Sequence, residues 1–159
     1  GWPSGQGVTL GALSAAAADT WASEIGVRSP ELPRSILSGH HVAPGTSGGV
    51  TRLGWLAAAA GALAIGGVWS LASDRRPTTL VVALMAGLAG SLADSLAGAT
   101  LQAFYACRVC DEPSEAPGYH CEAPRRLVRG YAWVTNDAVN GIGTATGALV
   151  GGLLLRQRD

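Results

Sequence analysis

LGWLAAAAGALAIGGVWSLA, residues 53–72, runs for 20 positions without a charged side chain. At about 1.5 Å of helical rise per residue it reaches about 30 Å, the thickness of a bilayer's hydrocarbon core. The stretch therefore reads as a transmembrane helix. Trp55 and Trp69 fall about 21 Å apart along it, a separation that suits aromatic side chains at the two membrane interfaces.

Outward from this span, three further stretches are long and apolar: 7–27, 80–104 and 131–155. Only 14% of the 159 residues are charged, well below the roughly 25% usual for soluble domains. These features predict an all-α fold, a polytopic transmembrane helix bundle of about four spans in a single domain, 1–159. Loops 28–52 and 105–130 then share one side. That side holds seven arginines (Arg28, Arg34, Arg52, Arg108, Arg125, Arg126, Arg129) against four on the other (Arg75, Arg76, Arg156, Arg158), which makes it the cytoplasmic one. Net charge is zero, so nucleic acid is not expected as a partner. All eleven basic residues are arginine, which excludes a P-loop lysine or a Schiff-base lysine.

Two of the spans carry a carboxylate in matching context. At an offset of 75, Leu13 aligns with Leu88, Ala18 with Ala93, Asp19 with Asp94, Thr20 with Ser95 and Ala22 with Ala97. The chain holds an internal two-helix repeat in which one acidic helix is built twice. Acids at membrane depth are costly and usually functional. Counting along ideal helices places Glu24 roughly 5 Å and Asp19 roughly 12 Å inside the loop end of the first span, and Asn136 and Asp137 roughly 8 to 9 Å inside the last, with Asn140 a turn further. Asp94 lies deep on the third span and Gln102 near its mouth. Glycine rows (Gly7 and Gly11; Gly90 and Gly98; Gly143, Gly147 and Gly151) allow the close backbone approach on which helix packing in lipid depends.

A pocket of this kind suits Mg²⁺, which takes one or two carboxylates and leaves its other positions to water and phosphate oxygens. The expected metal ligands are Asp19, Asp94 and Asp137, with Glu24, Asn136 and Asn140 completing a catalytic set. Protonated acids, or a cation pathway through them, fit the same residues. The first loop adds Arg34 and Gly45-Thr46-Ser47-Gly48-Gly49 just before the second span, a pattern that can present backbone N–H groups and a helix dipole to phosphate. Gln102, Arg125 and Arg126 join it as expected phosphate or nucleotide contacts. The second loop carries Cys107, Cys110, His120 and Cys121, the right number of donors for structural Zn²⁺, although adjacent ligands at 120 and 121 make awkward geometry. Zinc and free thiols are both open.

Four ordered segments carry a resemblance: Ala18-Asp19-Thr20-Trp21-Ala22-Ser23-Glu24-Ile25-Gly26; Val42-x-Pro44-Gly45-Thr46-Ser47-Gly48-Gly49-Val50-Thr51; Gly90-Ser91-Leu92-Ala93-Asp94-Ser95-x-x-Gly98-Ala99-Thr100-x-Gln102; and Asn136-Asp137-x-Val139-Asn140. Together they resemble the multi-pass membrane family known as domain of unknown function 92, which includes transmembrane protein 19-like and phytyl-phosphate kinase-like members. The resemblance implies phosphoryl transfer from a nucleoside triphosphate to an isoprenoid monophosphate. A weaker similarity runs to CTP-using polyprenol kinases and phosphatidate cytidylyltransferases, whose Lys-Thr/Ser-x-Glu-Gly pattern is replaced here by Gly45 and Gly48 at the Lys and Glu positions. The expected partners are the bilayer, an isoprenoid phosphate and a nucleoside triphosphate, with homo-oligomerisation left open. An ion-coupled small transporter using the same acids is the alternative.

Overall fold

The computed structural model describes residues 5–72 and 77–156; Arg75, Arg76 and Arg158 of the charge count lie outside them. Four long helices dominate: α1 (Gly5–Gly26), α2 (Arg52–Ala72), α3 (Pro77–Thr100) and α4 (Asn136–Arg156). Three of them, α2, α3 and α4, are long and apolar enough to cross a membrane. With 22 residues, α1 matches them in length, but Thr9, Ser14, Asp19, Thr20, Ser23 and Glu24 reduce its apolarity, so a fourth span is not evident by the same measure. Leu56, Val68, Leu71, Val81, Met85 and Leu149 are more than half exposed on the helix surfaces, where lipid would cover them.

The helix starts follow local chemistry. Proline, with no N–H to lose, opens α3 at Pro77. The Thr51 side chain caps α2 by accepting the Gly54 N–H at 2.9 Å. The expected fourth span began at residue 131, but α4 begins at Asn136. Tyr131 to Val134 is drawn instead into pairing with the chain leaving α3: Tyr131 N–H donates to Leu101 O at 3.0 Å and Ala103 N–H to Val134 O at 3.0 Å. The same pairing ends α3 at Thr100 rather than 104.

Helices α1 and α3 form the centre of the bundle. Each contacts the other and both α2 and α4, while α2 and α4 make no comparable contact. The core is built from small side chains, such as Ala18, Ala58 and Ala62 between α1 and α2. The glycine rows sit where helices approach most closely: a Cβ on Gly7 would lie 2.6 Å from Gly151 O, and one on Gly147 2.6 Å from Gly11 O. Trp69 is packed against Leu10, Val82 and Ala83, so it serves the bundle interior as well as any interface.

The fold is the expected all-α bundle, and its two loops carry short strands of two to four residues. In the first, β1 (Arg34–Ser35) pairs antiparallel with β2 (Gly49–Val50). In the second, β3 (Phe104–Ala106) lies between β4 (Pro113–Ser114) and β7 (Arg126–Arg129), beside a hairpin of β5 (Tyr119–His120) and β6 (Ala123–Pro124). Both loops meet at one end of the bundle.

Candidate functional site

Helical periodicity brings the polar residues of three helices to one face each. On α3, Ser91, Asp94, Ser95 and Gly98 follow an i, i+3, i+4, i+7 course, and on α1 Asp19 and Ser23 are one turn apart. These residues line a cavity of about 530 Å³ at the loop end of the bundle, together with Glu24, Gln102, Asn136, Asn140 and residues 44–49. A smaller recess of about 80 Å³ shares Asp19, Asp94 and Asn140. Asp19 and Asp94 thus line both the cavity and the recess, one from α1 and one from α3. Asp94 Oδ2 is buried and has no hydrogen-bond partner among the described residues. Two adjacent carboxylates with an orphaned oxygen form a donor set suited to a hard cation.

The remaining expected residues are distributed unevenly. Because α4 starts at Asn136, Asn136 and Asp137 occupy its first turn instead of lying a turn or more inside the span. Asn136 and Asn140, one turn apart, reach the cavity, whereas Asp137 is not among its lining residues. Asp137 sits where an acid favours a helix N-terminus. Among the described residues no arginine lines the cavity. Arg34 donates to Gly39 O at 3.0 Å, Arg125 to Ala116 O at 3.5 Å, and Arg126 pairs with Asp111 at 2.9 Å.

The glycine-rich segment lies beside α3 rather than on the start of α2, since β2 and Thr51 intervene. Gly48, at φ +79°, packs so closely on α3 that a Cβ there would meet Ser95 O at 3.0 Å. Thr46 and Gly49 spend their N–H groups within the loop, on Ala43 O at 3.2 Å and Thr46 O at 2.8 Å. The Ser47 N–H donates to Glu115 Oε1 at 3.1 Å, while Gln102 Nε2 donates to Glu115 Oε2 at 3.0 Å. The start of α2, through Thr51, Gly54 and Trp55, and the first turn of α4, through Asn136, both border the cavity.

Glu115, Ser91 and Ser95 escaped the sequence reading as site residues. Ser91 and Ser95 could have been found from the α3 periodicity around Asp94. Glu115 belongs to no recognisable pattern, and only the folded loop brings it to the mouth.

Cys107, Cys110, His120 and Cys121 converge, their ligand atoms all within 4.8 Å of one another. The awkwardness of adjacent His120 and Cys121 is relieved by the β5–β6 turn, where Cys121 and Glu122 take φ of 51° and 59°. Backbone N–H groups of Cys110 and Val109 directed at the Cys107 sulfur hold its thiol down at about 6. The neighbouring Cys110 sulfur is the main cause that pushes the Cys121 thiol up to about 11.

Residues 5–148 match the integral membrane protein family DUF92. The chain belongs to that family. It is similar to Protein PGR of Arabidopsis thaliana, with 40% identity over 145 residues, covering 84% of this chain and 49% of that one. It is also similar to an uncharacterized membrane protein of Methanocaldococcus jannaschii, with 38% identity over 94 residues, 58% of this chain and 39% of that one. The DUF92 chain thus spans about half or less of these relatives. No solved structure matches it. The four motifs on which the resemblance rested all lie within the matched region.

Proposed function

We propose that this DUF92 chain carries the active site of a Mg²⁺-dependent membrane kinase that transfers the terminal phosphoryl group of a nucleoside triphosphate to an isoprenoid monophosphate, with the cavity facing the cytoplasm. The observation that carries the reading is the Asp19–Asp94 pair, with Asp94 Oδ2 buried and unpartnered, in a cavity without a lining arginine. A polyphosphate cannot occupy an acidic cavity unless its charge is neutralised, and among the described residues no lining side chain is cationic. Asp19 and Asp94 would hold Mg²⁺, which when bound supplies that neutralisation.

The protein's own groups account for the rest. Asn136 and Asn140 can donate amide hydrogens to phosphate oxygens, reinforced by the positive end of α4. Ser91 and Ser95 add hydroxyl donors beside the acids. In the transfer, an oxygen of the acceptor phosphate bonds to the γ-phosphorus while the bond to the bridging oxygen breaks, leaving the nucleoside diphosphate. The acceptor is already ionised, so no strong general base is needed and positioning with charge stabilisation suffices. Glu24 then orients water or metal. The cavity also has apolar walls, including Ala22, Val27, Leu32, Trp55 and Ala58, as an amphiphilic acceptor needs.

The test is conversion of phytyl or geranylgeranyl monophosphate to the diphosphate by detergent-purified chain, with CTP, ATP, GTP and UTP supplied in turn with Mg²⁺. Diphosphate formation that depends on nucleotide supports the kinase. Absence of any product, combined with cation flux in proteoliposomes, would replace it with the transporter reading.

A further inference from the structure

The segment from Cys107 to Arg125 folds with almost no core. Cys107 is its only buried residue; the others are exposed or intermediate. Short strands and exposed side chains do not hold a peptide of this length by burial, and segments of this size usually need a crosslink or a metal. Yet the segment is turned tightly. Cys107 N–H donates to Glu112 O at 2.9 Å and Asp111 N–H to Cys107 O at 3.2 Å, with Asp111 at φ 57°. The β5–β6 hairpin supplies the second turn, at Cys121 and Glu122.

These two turns present four donors to a common point. Cys110 Sγ and Cys121 Sγ are 3.7 Å apart, and each lies 3.3 Å from His120 Nδ1. In tetrahedral zinc coordination, bonds of about 2.3 Å to sulfur and about 2.0–2.1 Å to nitrogen imply S···S and S···N edges of about 3.8 Å and about 3.6 Å. These three spacings match the corresponding edges of that polyhedron to within a few tenths of an ångström, and Cys107 Sγ lies within 4.8 Å of the other three donors. The Cys110–Cys121 distance is far from the roughly 2.05 Å of a disulfide, and all three cysteines are free. The Val109 N–H directed at Cys107 Sγ, at 3.3 Å, is the kind of outer contact that steadies a metal-bound thiolate.

We propose that Cys107, Cys110, His120 through Nδ1, and Cys121 bind one Zn²⁺ in a closed tetrahedral site, and that this ion fixes the loop that carries Glu115. The bound site carries three thiolates and a neutral imidazole, so binding releases the protons of whichever of these groups are still protonated. With all four positions filled by protein, the ion has no open position for chemistry and serves structure alone. Glu115 lies between the two ligand pairs in sequence, so the same ion holds it against Ser47 and Gln102. The inference is independent of the kinase reading.

The test is elemental analysis of the whole chain, purified in detergent without metal-chelating resin, beside Cys110→Ser, Cys121→Ser and, as a control, Arg108→Ala. About one zinc per chain is expected in the unsubstituted protein and in Arg108→Ala, with loss in both cysteine variants. Replacement by Co²⁺ should give the intense visible bands of a tetrahedral thiolate site. This spectrum and the zinc content of the unsubstituted protein decide the matter even if the cysteine variants fail to fold. Absence of zinc with three freely reactive thiols overturns the proposal, as does zinc retained in both Cys110→Ser and Cys121→Ser.

Discussion

Ser47 and Glu115, 68 residues apart in sequence, join the two loops: the Ser47 N–H donates to Glu115 Oε1 at 3.1 Å, and the Ser47 hydroxyl donates to the same oxygen. The other carboxylate oxygen accepts from Gln102 Nε2 at 3.0 Å, just past the end of α3. Glu115 thus occupies the anion position that the glycine-rich segment offers. A nucleotide phosphate that uses this segment must displace the carboxylate.

Glu115→Gln keeps the acceptor and removes the charge. Because Glu115 is exposed, solvent weakens its repulsion of a phosphate to about 1 kcal/mol, or roughly fivefold in affinity. Nucleotide binding to the variant, measured calorimetrically with Mg²⁺ present, should therefore tighten by about that factor. Weaker binding would mean that Glu115 supports the nucleotide instead of competing with it.

Helix packing yields a second expectation. A Cβ on Gly147 would approach Gly11 O to 2.6 Å, a backbone atom of the facing helix, whereas one on Gly67 would meet nothing within 4 Å. Gly147→Ala should destabilise the detergent-solubilised protein by about 1–3 kcal/mol through overpacking. Gly67→Ala should be neutral or stabilise it slightly, since alanine is the better helix former. Thermal unfolding of the two variants side by side checks this. Equal melting temperatures would show that α1 and α4 are not in contact through Gly11.

The exposed pair of Arg126 and Asp111, 2.9 Å apart, gives a third. Such surface pairs contribute at most about 1 kcal/mol. Arg126→Ala should leave turnover within about twofold and stability within about 1 kcal/mol. A large rise in the Michaelis constant for nucleotide would restore Arg126 to the phosphate-binding role that its sequence position suggests.

Much of this arrangement is legible in the chain itself. The uncharged run at 53–72 announces α2, and the offset of 75 between Asp19 and Asp94 foretells two helices that meet at their acids. Asn136 and Asn140, one turn apart, reach the cavity as expected, whereas Asp137, expected beside them as a metal ligand, is not among its lining residues. What stays hidden depends on pairings distant in sequence. Tyr131 to Val134 looks like apolar helix until Leu101 and Ala103 claim its backbone. The arginines look like phosphate ligands until nearby carbonyls and Asp111 engage them. The polar residues that fit α1 for the cavity also keep it from reading as an apolar span.

In the proposed kinase, Asp19 and Asp94 together hold the Mg²⁺ used for phosphoryl transfer. The most direct measurement is Mg²⁺-dependent formation of prenyl diphosphate by the unsubstituted protein, Asp19→Asn and Asp94→Asn, at equal membrane yield and with matching circular dichroism. Asparagine keeps the shape and removes the charge that binds the metal. Each variant should lose at least about a hundredfold in turnover while remaining inserted and helical. Near-normal turnover in either variant would contradict this role of the pair.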